Sequence, residues 1–151
     1  MRRLTISVDD ALADTFDQLV REKGYVNRSE AFRDLVRGAL GDARIRAGTA
    51  KHCVGALTYV YNHHERQLAS RLTSMQHDHH DVTVSTMHAH LDHENCIETV
   101  ILRGPTEAVM RFAEAVIAQS GVRHGTFHPI PVEVETPGAK RHRHLHLRPP
   151  T

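Results

Sequence analysis

The chain has 151 residues, the size of one ordinary domain or two small ones. Its formal charge of +1 hides a basic start, an acidic middle and a basic end, with net charges of +2, −5 and +4 over residues 1–51, 52–136 and 137–151. Two cysteines are too few for a secreted disulfide framework, and no apolar run reaches the roughly 18 residues of a membrane helix. We therefore expect a soluble, cytoplasmic protein without a membrane partner, whose basic ends suit nucleic acid.

The first fifty residues predict a strand followed by two helices. Residues 3–8 alternate polar and apolar side chains, as a half-buried β-strand does. An amphipathic helix follows Asp9 and stops at Gly24, and a second helix starts at Asn27 and ends near Gly41. About 40 residues cannot bury a core alone. We therefore expect an intertwined dimer whose paired strands form a ribbon that fits the major groove.

This segment resembles the ribbon-helix-helix repressors. The resemblance implies that the outward strand side chains read bases; these are Arg3, Thr5 and Ser7. The start of the second helix offers backbone N–H groups to a DNA phosphate, at Asn27, Arg28 and Ser29. The alternative for the strand is an amphipathic edge with a solvated polar face.

The rest of the chain predicts a second, mixed domain. Its elements run strand, helix, strand, strand, helix, strand, at residues 54–61, 64–76, 82–91, 97–102, 106–119 and 121–130. The order βαββαβ is the ferredoxin-like plan, which ACT-type ligand-binding domains share. The predicted fold class is therefore α+β: an N-terminal ribbon-helix-helix module followed by a ferredoxin-like, ACT-type regulatory domain.

The predicted domain boundaries follow from these patterns. The ribbon-helix-helix module covers residues 1–42, a basic linker, for which a helical start is one alternative, covers 43–52, and the ACT-like domain covers 53–134. Residues 135–151 are rich in Arg and His, and we expect a disordered, solubilising tail there. The alternatives for the tail are metal scavenging and contact with DNA phosphates.

Fourteen histidines are the unusual feature of the composition, and some of them form a pattern. His88 and His90 share one face of a predicted strand, and Cys96 joins that face if the hairpin pairs residues whose numbers sum to an even value. His77 lies where the first regulatory helix is expected to end. Imidazole and thiolate suit late first-row metals, so the combination predicts a metal site. Taken singly, each residue is as well explained as a surface histidine or a small buried cysteine.

With these residues the chain resembles the nickel-responsive regulator family over about residues 1–130. The stretches that carry the resemblance are residues 24–31 (GYVNRSEA), 76–81 (QHDHHD), 88–90 (HAH), Cys96 and 121–125 (GVRHG). The resemblance implies a planar nickel site, about one Ni²⁺ per subunit, made by His88, His90 and Cys96 of one subunit and His77 of a neighbour.

The resemblance implies further roles. The residues that orient the ligands would be Tyr61, Gln76 and Glu98, and an additional low-affinity cation would lie at Glu30 and Asp34. The assembly would be a homotetramer that binds double-stranded DNA at a palindromic operator and represses nickel uptake genes when it holds metal. The sequence departs from the family at Glu65–Arg66, where relatives carry a basic pair that helps to hold DNA.

Other functions remain open on the sequence. The chain could sense another divalent metal (Cu, Co or Zn), or store metal, which the histidine count favours. An antitoxin-like module with a protein partner predicts a disordered or toxin-wrapping C-terminal half, which the periodic pattern after Cys53 disfavours. No enzyme is expected, because no nucleophile pairs with a base and four protein ligands leave the metal no open position.

Overall fold

The computed structural model describes residues 4–135 and 146–150, and these form two compact units, Met1–Asp42 and Ala43–Thr151. The first unit holds helix α1 (Asp10–Glu22) and the start of α2 (Arg28–Arg46). The Asp9 carboxylate caps α1 by accepting a hydrogen bond from the Leu12 N–H at 2.9 Å, as the sequence predicts.

Helix α2 is longer than the sequence suggests. It continues through Gly41 to Arg46, so the first residues of the predicted linker are helical. Alanine and arginine at residues 43, 44 and 46 have high helix propensity, and the chain turns only at Gly48, where φ is +65°.

The first unit lacks a core of its own. Ala31 is the only buried residue among those described in α1 and α2, and Leu4, Ile6 and Val8 are all more than half exposed. Residues 4–9 form no strand, because a strand requires a neighbour with which to exchange hydrogen bonds and one chain provides none. The apolar surface of this unit requires a partner.

The second unit is built around an antiparallel sheet. Its elements are β1 (His52–Asn62), α3 (Arg66–Asp78), β2 (Thr83–His90), β3 (Asn95–Pro105), α4 (Thr106–Ile117), β4 (Arg123–Glu135) and β5 (His146–Arg148). The strand order is β2-β3-β1-β4-β5. The first four strands have the ferredoxin-like arrangement, which confirms the predicted fold class.

Strand β5 is the one element that the sequence does not predict. It pairs with the end of β4, where Leu147 lies opposite Val134 and Arg148 forms an ion pair with Glu135 at 2.9 Å. The prediction of a disordered tail is therefore wrong for these three residues. Strand β4 runs to Glu135, past the predicted end at residue 130, and leaves an edge with which a short strand can pair. Residues 136–145 and 151 of the predicted tail lie outside the described residues.

The core lies between one face of the sheet and helices α3 and α4. Residues of β1, and of β3 as far as Leu102, alternate between buried and half-exposed positions. The largest fully buried side chains of this unit include Leu57, Tyr59, Leu68, Leu72, Leu102 and Val109. The opposite face, which we call the open face, carries half-exposed residues; those of β1 and β3 include Val54, Ala56, Thr58, Val60, Ile97, Thr99 and Ile101.

None of the helices in the described part of the chain has both the length and the apolar character needed to span a bilayer.

The close packing of β1 against β4 can be tested by a substitution at Gly55. A Cβ at this position would lie 2.4 Å from the His128 carbonyl oxygen and 2.7 Å from Cε2 of Phe127. We expect Gly55→Ala to lower the free energy of unfolding by about 3 kcal/mol, at the upper end for overpacking, as measured by urea denaturation of metal-free protein. Gly38→Ala in α2 is the control, because open space surrounds Gly38 and alanine favours a helix. Equal stability of the two variants would contradict this packing.

Candidate metal centre

The pairing of three strands aligns the candidate ligands in two rows. In the first row His90 of β2 lies opposite Cys96 of β3, which lies opposite Tyr61 of β1. The second row, two residues further along each strand, holds His88, Glu98 and Tyr59. Residues two apart on a strand share a face, so both rows lie on the face that packs against the helices. In this register the numbers of paired β2 and β3 residues add up to an even value, so Cys96 lies on the same face as His88 and His90.

The first row contains a group of soft ligand atoms, which we call the Cys96 triad: His63, His90 and Cys96. Nδ1 of His90 lies 3.1 Å from the Cys96 sulfur, and Nδ1 of His63 lies 3.2 Å from it. All three ligand atoms lie within 4.8 Å of one another. The sulfur is fully buried, whereas His90 is exposed at the end of its strand.

His63 is the residue of this group that the sequence analysis misses. It follows the last residue of β1, and its backbone N–H donates to the Glu94 carbonyl at 3.0 Å, which holds it against the β2–β3 turn. The signal was present, because His63 lies two residues after Tyr61 and therefore extends the face on which the first row lies. Detecting it requires the β1–β3 register, which one sequence does not fix.

The His88 ring contacts Glu98 of its own row and Tyr61 of the first row. Its Nδ1 lies 3.3 Å from Oε2 of Glu98 and 3.4 Å from the Tyr61 hydroxyl. Its ring centroid is 5.1 Å from that of His90. The structure therefore brings His88 beside His90, with one ring nitrogen directed at a carboxylate, the arrangement that orients a ligating imidazole.

Glu98 is the centre of a buried network. It is 7% exposed, and Gln76 donates from Nε2 to its Oε1 at 2.6 Å. The Tyr59 hydroxyl donates to the same oxygen, and the Tyr61 hydroxyl lies 3.4 Å from Oε2. Gln76 accepts in turn from the Thr86 hydroxyl at 2.7 Å. All three residues that the sequence predicts to orient the ligands belong to this network; they are Tyr61, Gln76 and Glu98. Tyr59 is a further member of the network that the sequence does not predict.

The surroundings set the protonation of the ligand groups. Burial, and then the negative charges of Asp92 and Glu98, raise the pKa of the Cys96 thiol. Desolvation, and then charge repulsion from His64, His90 and His88, lower the pKa of His63, which favours the neutral ring with a lone pair to offer. A bound cation reverses the bias against the thiolate, because it deprotonates a coordinating thiol. This donor set fits a late first-row transition metal.

Comparison with known proteins identifies both units. The family model described as the NikR C terminal nickel binding domain matches residues 54–130, and that of the ribbon-helix-helix protein, copG family, matches residues 2–43. The nickel-responsive regulators of Brucella abortus biovar 1, Brucella suis biovar 1 and Brucella melitensis biotype 1 are each 46% identical to the chain over 132 residues, 87% of this chain and the whole of the relative. The chain belongs to the nickel-responsive regulator family.

One solved structure, that of an uncharacterized protein from Thermotoga maritima, aligns with 52% of this chain and 98% of its own length, with 16% identity and a TM-score of 0.47.

His77, the fourth ligand that the family resemblance implies, is exposed in the last turn of α3. It does not belong to the Cys96 triad. Its neighbour Gln76 is bound to Glu98, so the helix end that carries His77 is tied to the network behind His88.

Residues expected to contact DNA lie in the first unit. Thr5 and Ser7 are exposed, while Arg3 lies outside the described residues. Asn27 caps α2, since its Oδ1 accepts from the Glu30 N–H at 2.9 Å. Ser29 is exposed in the first turn of α2.

Two more of the predicted site residues form side-chain hydrogen bonds: Arg28, expected at a DNA phosphate, and Asp34, expected at a cation. Arg28 forms a two-pronged ion pair with Asp17 of α1, and the Arg28 hydrogen bond and charge lower the pKa of Asp17. Asp34 accepts a hydrogen bond of 2.5 Å from the Tyr25 hydroxyl.

Glu30 and Asp34, the expected cation ligands, lie four residues apart and thus on one side of α2. The sequence analysis places a departure from the family pattern at Glu65 and Arg66. Glu65 precedes α3 and its side chain does not cap the helix. The Arg66 side chain lies outside the described part of the structure.

The Glu98 network predicts a large loss of stability when its acceptor is removed. Glu98→Ala leaves the buried Tyr59 hydroxyl and the half-buried Gln76 amide without the carboxylate to which both donate, and a hydrogen bond to a charged group contributes about 1.5–3 kcal/mol. We expect the free energy of unfolding of metal-free protein to fall by about 3 kcal/mol. Glu114→Ala, at an exposed position of α4, should change it by less than about 0.5 kcal/mol. Similar losses in both variants would show that the network does not stabilise the fold.

Proposed function

We propose that the protein is a nickel-responsive, DNA-binding transcriptional regulator that represses nickel uptake genes when it holds metal. The observation that carries the proposal is the combination, in one chain of this family, of a ribbon-helix-helix module with a thiol–imidazole group at the ends of three paired strands. Neither feature alone distinguishes a regulator from a storage protein.

The proposed nickel ligands are His88, His90 and Cys96 of one subunit and His77 of a neighbouring subunit, with about one ion per subunit. Three observations support this set. His90 and Cys96 are adjacent, His88 is oriented beside them by Glu98, and His77 is exposed where a second chain can reach it. Ni(II) favours a tetragonal set of nitrogen and sulfur ligands. When bound, it would supply a fixed geometry and no reaction, since four protein ligands leave no position for a substrate.

The proposed assembly is a homotetramer. The exposed apolar residues of the first unit would be covered by the paired strand and helices of a second copy, and the open face of the regulatory sheet provides a further apolar surface. Met87 also lies on the open face and is 68% exposed, so it enlarges this apolar surface.

The coupling of metal to DNA would act through the geometry of the subunits. Because His77 would come from a neighbour, a complete ligand set exists only when two chains hold one relative position. That position would favour two ribbons that span the half-sites of a palindromic operator. An allosteric coupling of about 1–3 kcal/mol would change operator affinity about 5–150-fold.

In the proposed complex Arg3, Thr5 and Ser7 read bases, and the start of α2 at residues 27–29 contacts a phosphate. Glu30 and Asp34 would hold the additional cation. Arg28 would have to share its guanidinium between Asp17 and the phosphate, and the Nη1 edge that the Asp17 pair does not use is available for this.

Other features of the proposal follow from the same residues. The protein would act in the cytoplasm and would not be an enzyme. Metal storage is the second candidate function, supported by the fourteen histidines, and it predicts several ions per chain and no operator.

His77→Ala tests the intersubunit ligand. We expect the variant to lose the nickel-dependent increase in operator affinity, because the remaining three ligands all belong to one chain. Fluorescence anisotropy of a labelled operator, with and without nickel, measures this, and His80→Ala at the same exposed helix end is the control. A nickel response that persists in His77→Ala would end the proposal.

Arg3→Ala tests base reading by the ribbon. Affinity for duplexes that the wild-type protein selects from a random library should fall by about 1–3 kcal/mol, and the base preference at one position should relax. An equal loss on random DNA would instead assign Arg3 to the phosphates.

A further inference from the structure

We propose that Asp17 is a specificity-determining residue for DNA binding, because it pairs with Arg28 and leaves that side chain hydrogen bonds for a phosphate but little net charge. Charge attracts every duplex alike, whereas hydrogen bonds of fixed direction require a phosphate at one position. The inference rests on the proposed function, since it concerns how the start of α2 would contact the operator.

The ion pair joins the two helices of the first unit. Asp17 lies in the middle of α1, and Arg28 is the first residue of α2. Nε of Arg28 donates to Oδ1 of Asp17 at 2.5 Å, and Nη2 of Arg28 donates to Oδ2. Both carboxylate oxygens and one edge of the guanidinium are therefore occupied, an arrangement that fixes the orientation of the guanidinium plane. The Arg28 side chain is 67% exposed and that of Asp17 27%, so the pair is open to solvent on the Arg28 side.

Arg28 keeps donors for a further acceptor. A guanidinium has five N–H groups in one plane, and the pair with Asp17 uses two of them. The three that remain are both N–H groups of Nη1 and one of Nη2, on the edges that Asp17 does not occupy. Two parallel N–H groups match the oxygens of a phosphate. Asp17 thus orients the guanidinium and leaves one of its edges for DNA.

The pair also changes the charge that DNA meets at the start of α2. The hydrogen bond from Arg28, and then the charges of Arg28 and Arg21, lower the pKa of Asp17, so its carboxylate is charged at neutral pH. This charge opposes that of Arg28 at hydrogen-bond distance, far less than the Debye length of about 8 Å at physiological salt. A phosphate that is not in register therefore meets a nearly neutral pair. Only a phosphate placed at the free edge gains the hydrogen bonds.

The test compares full-length Asp17→Asn with wild-type protein, both loaded with nickel, by fluorescence anisotropy over a series of salt concentrations. The probes are a duplex that wild-type protein selects from a random library and a duplex of random sequence. We expect the variant to bind random DNA more tightly, because Arg28 regains its charge. Its salt dependence should steepen by about 0.9 for each Arg28 in contact, about 8-fold in affinity per tenfold change in salt. The selected duplex should gain less, because the guanidinium loses the carboxylate that orients it, so the ratio of the two affinities falls.

Asp14→Asn is the matched control. Asp14 is exposed on the same helix and forms no ion pair with the described residues, and its substitution removes the same charge. We expect this variant to change both affinities equally and by much less. Exposed ion pairs contribute little to stability, so both variants should fold, which thermal melts followed by circular dichroism check. An unchanged ratio in Asp17→Asn, or an equal fall in Asp14→Asn, would overturn the proposal.

Arg28→Gln provides a second, independent measurement. Because the paired Arg28 adds little charge, its removal should weaken binding to the selected duplex and change the salt dependence on random DNA by much less than about 0.9. A full reduction of that size would show that Arg28 acts as a free cation, against the proposal. Failure of the proposed function would appear differently, in wild-type protein. Binding to the selected duplex would then not respond to nickel, while the effect of Asp17→Asn on random DNA would remain.

Discussion

The register of the β2–β3–β1 ladder is the constraint on which the candidate site depends. A slip of one residue would turn every side chain of a strand to the other face, so Cys96 would leave His90 and Glu98 would leave Tyr59. The hairpin turn fixes this register. Asp92 Oδ1 accepts from the N–H groups of Glu94 and Asn95, both at 2.7 Å, and these bonds together with the Asn95 side chain lower the pKa of Asp92 to about 2. The carboxylate therefore remains charged and holds the turn across the physiological range.

Glu98 connects the ligand strands to the helix that carries His77. A buried carboxylate is costly unless it is fully hydrogen-bonded, and here Tyr59, Gln76 and Tyr61 surround it. Because Gln76 immediately precedes His77, a shift of the end of α3 would disturb a bond to the carboxylate that also faces His88. The network thus provides a physical connection between the proposed ligands His88 and His77, which are far apart in sequence, through side chains of the protein alone.

The sequence predicts most of the fold, because its signals are local. Short stretches of sequence are enough to predict the alternation in β1 and β3, the helix caps at Asp9 and Asn27, and the βαββαβ order. Errors arise at the boundaries of elements. Helix α2 passes Gly41 because its following residues favour helix, and β5 exists because the long β4 leaves an edge to pair with. At the site, His88, His90 and Cys96 follow from spacing, but His63 and Tyr59 require the β1–β3 register, a long-range property.

The two units of this chain are incomplete in different ways, and this has a consequence for regulation. The first unit has apolar helices with almost no buried residue, so its stability depends on association and hence on concentration. The regulatory unit has a complete core, whereas His77 is exposed and the open face is half-exposed. In the proposed assembly, association of the first unit would be needed at all times for folding, whereas association through His77 would depend on the cation. A regulator built in this way could stay dimeric and folded without metal and use the metal only to select one arrangement of subunits. The ligand then controls geometry and not folding, which permits a reversible response.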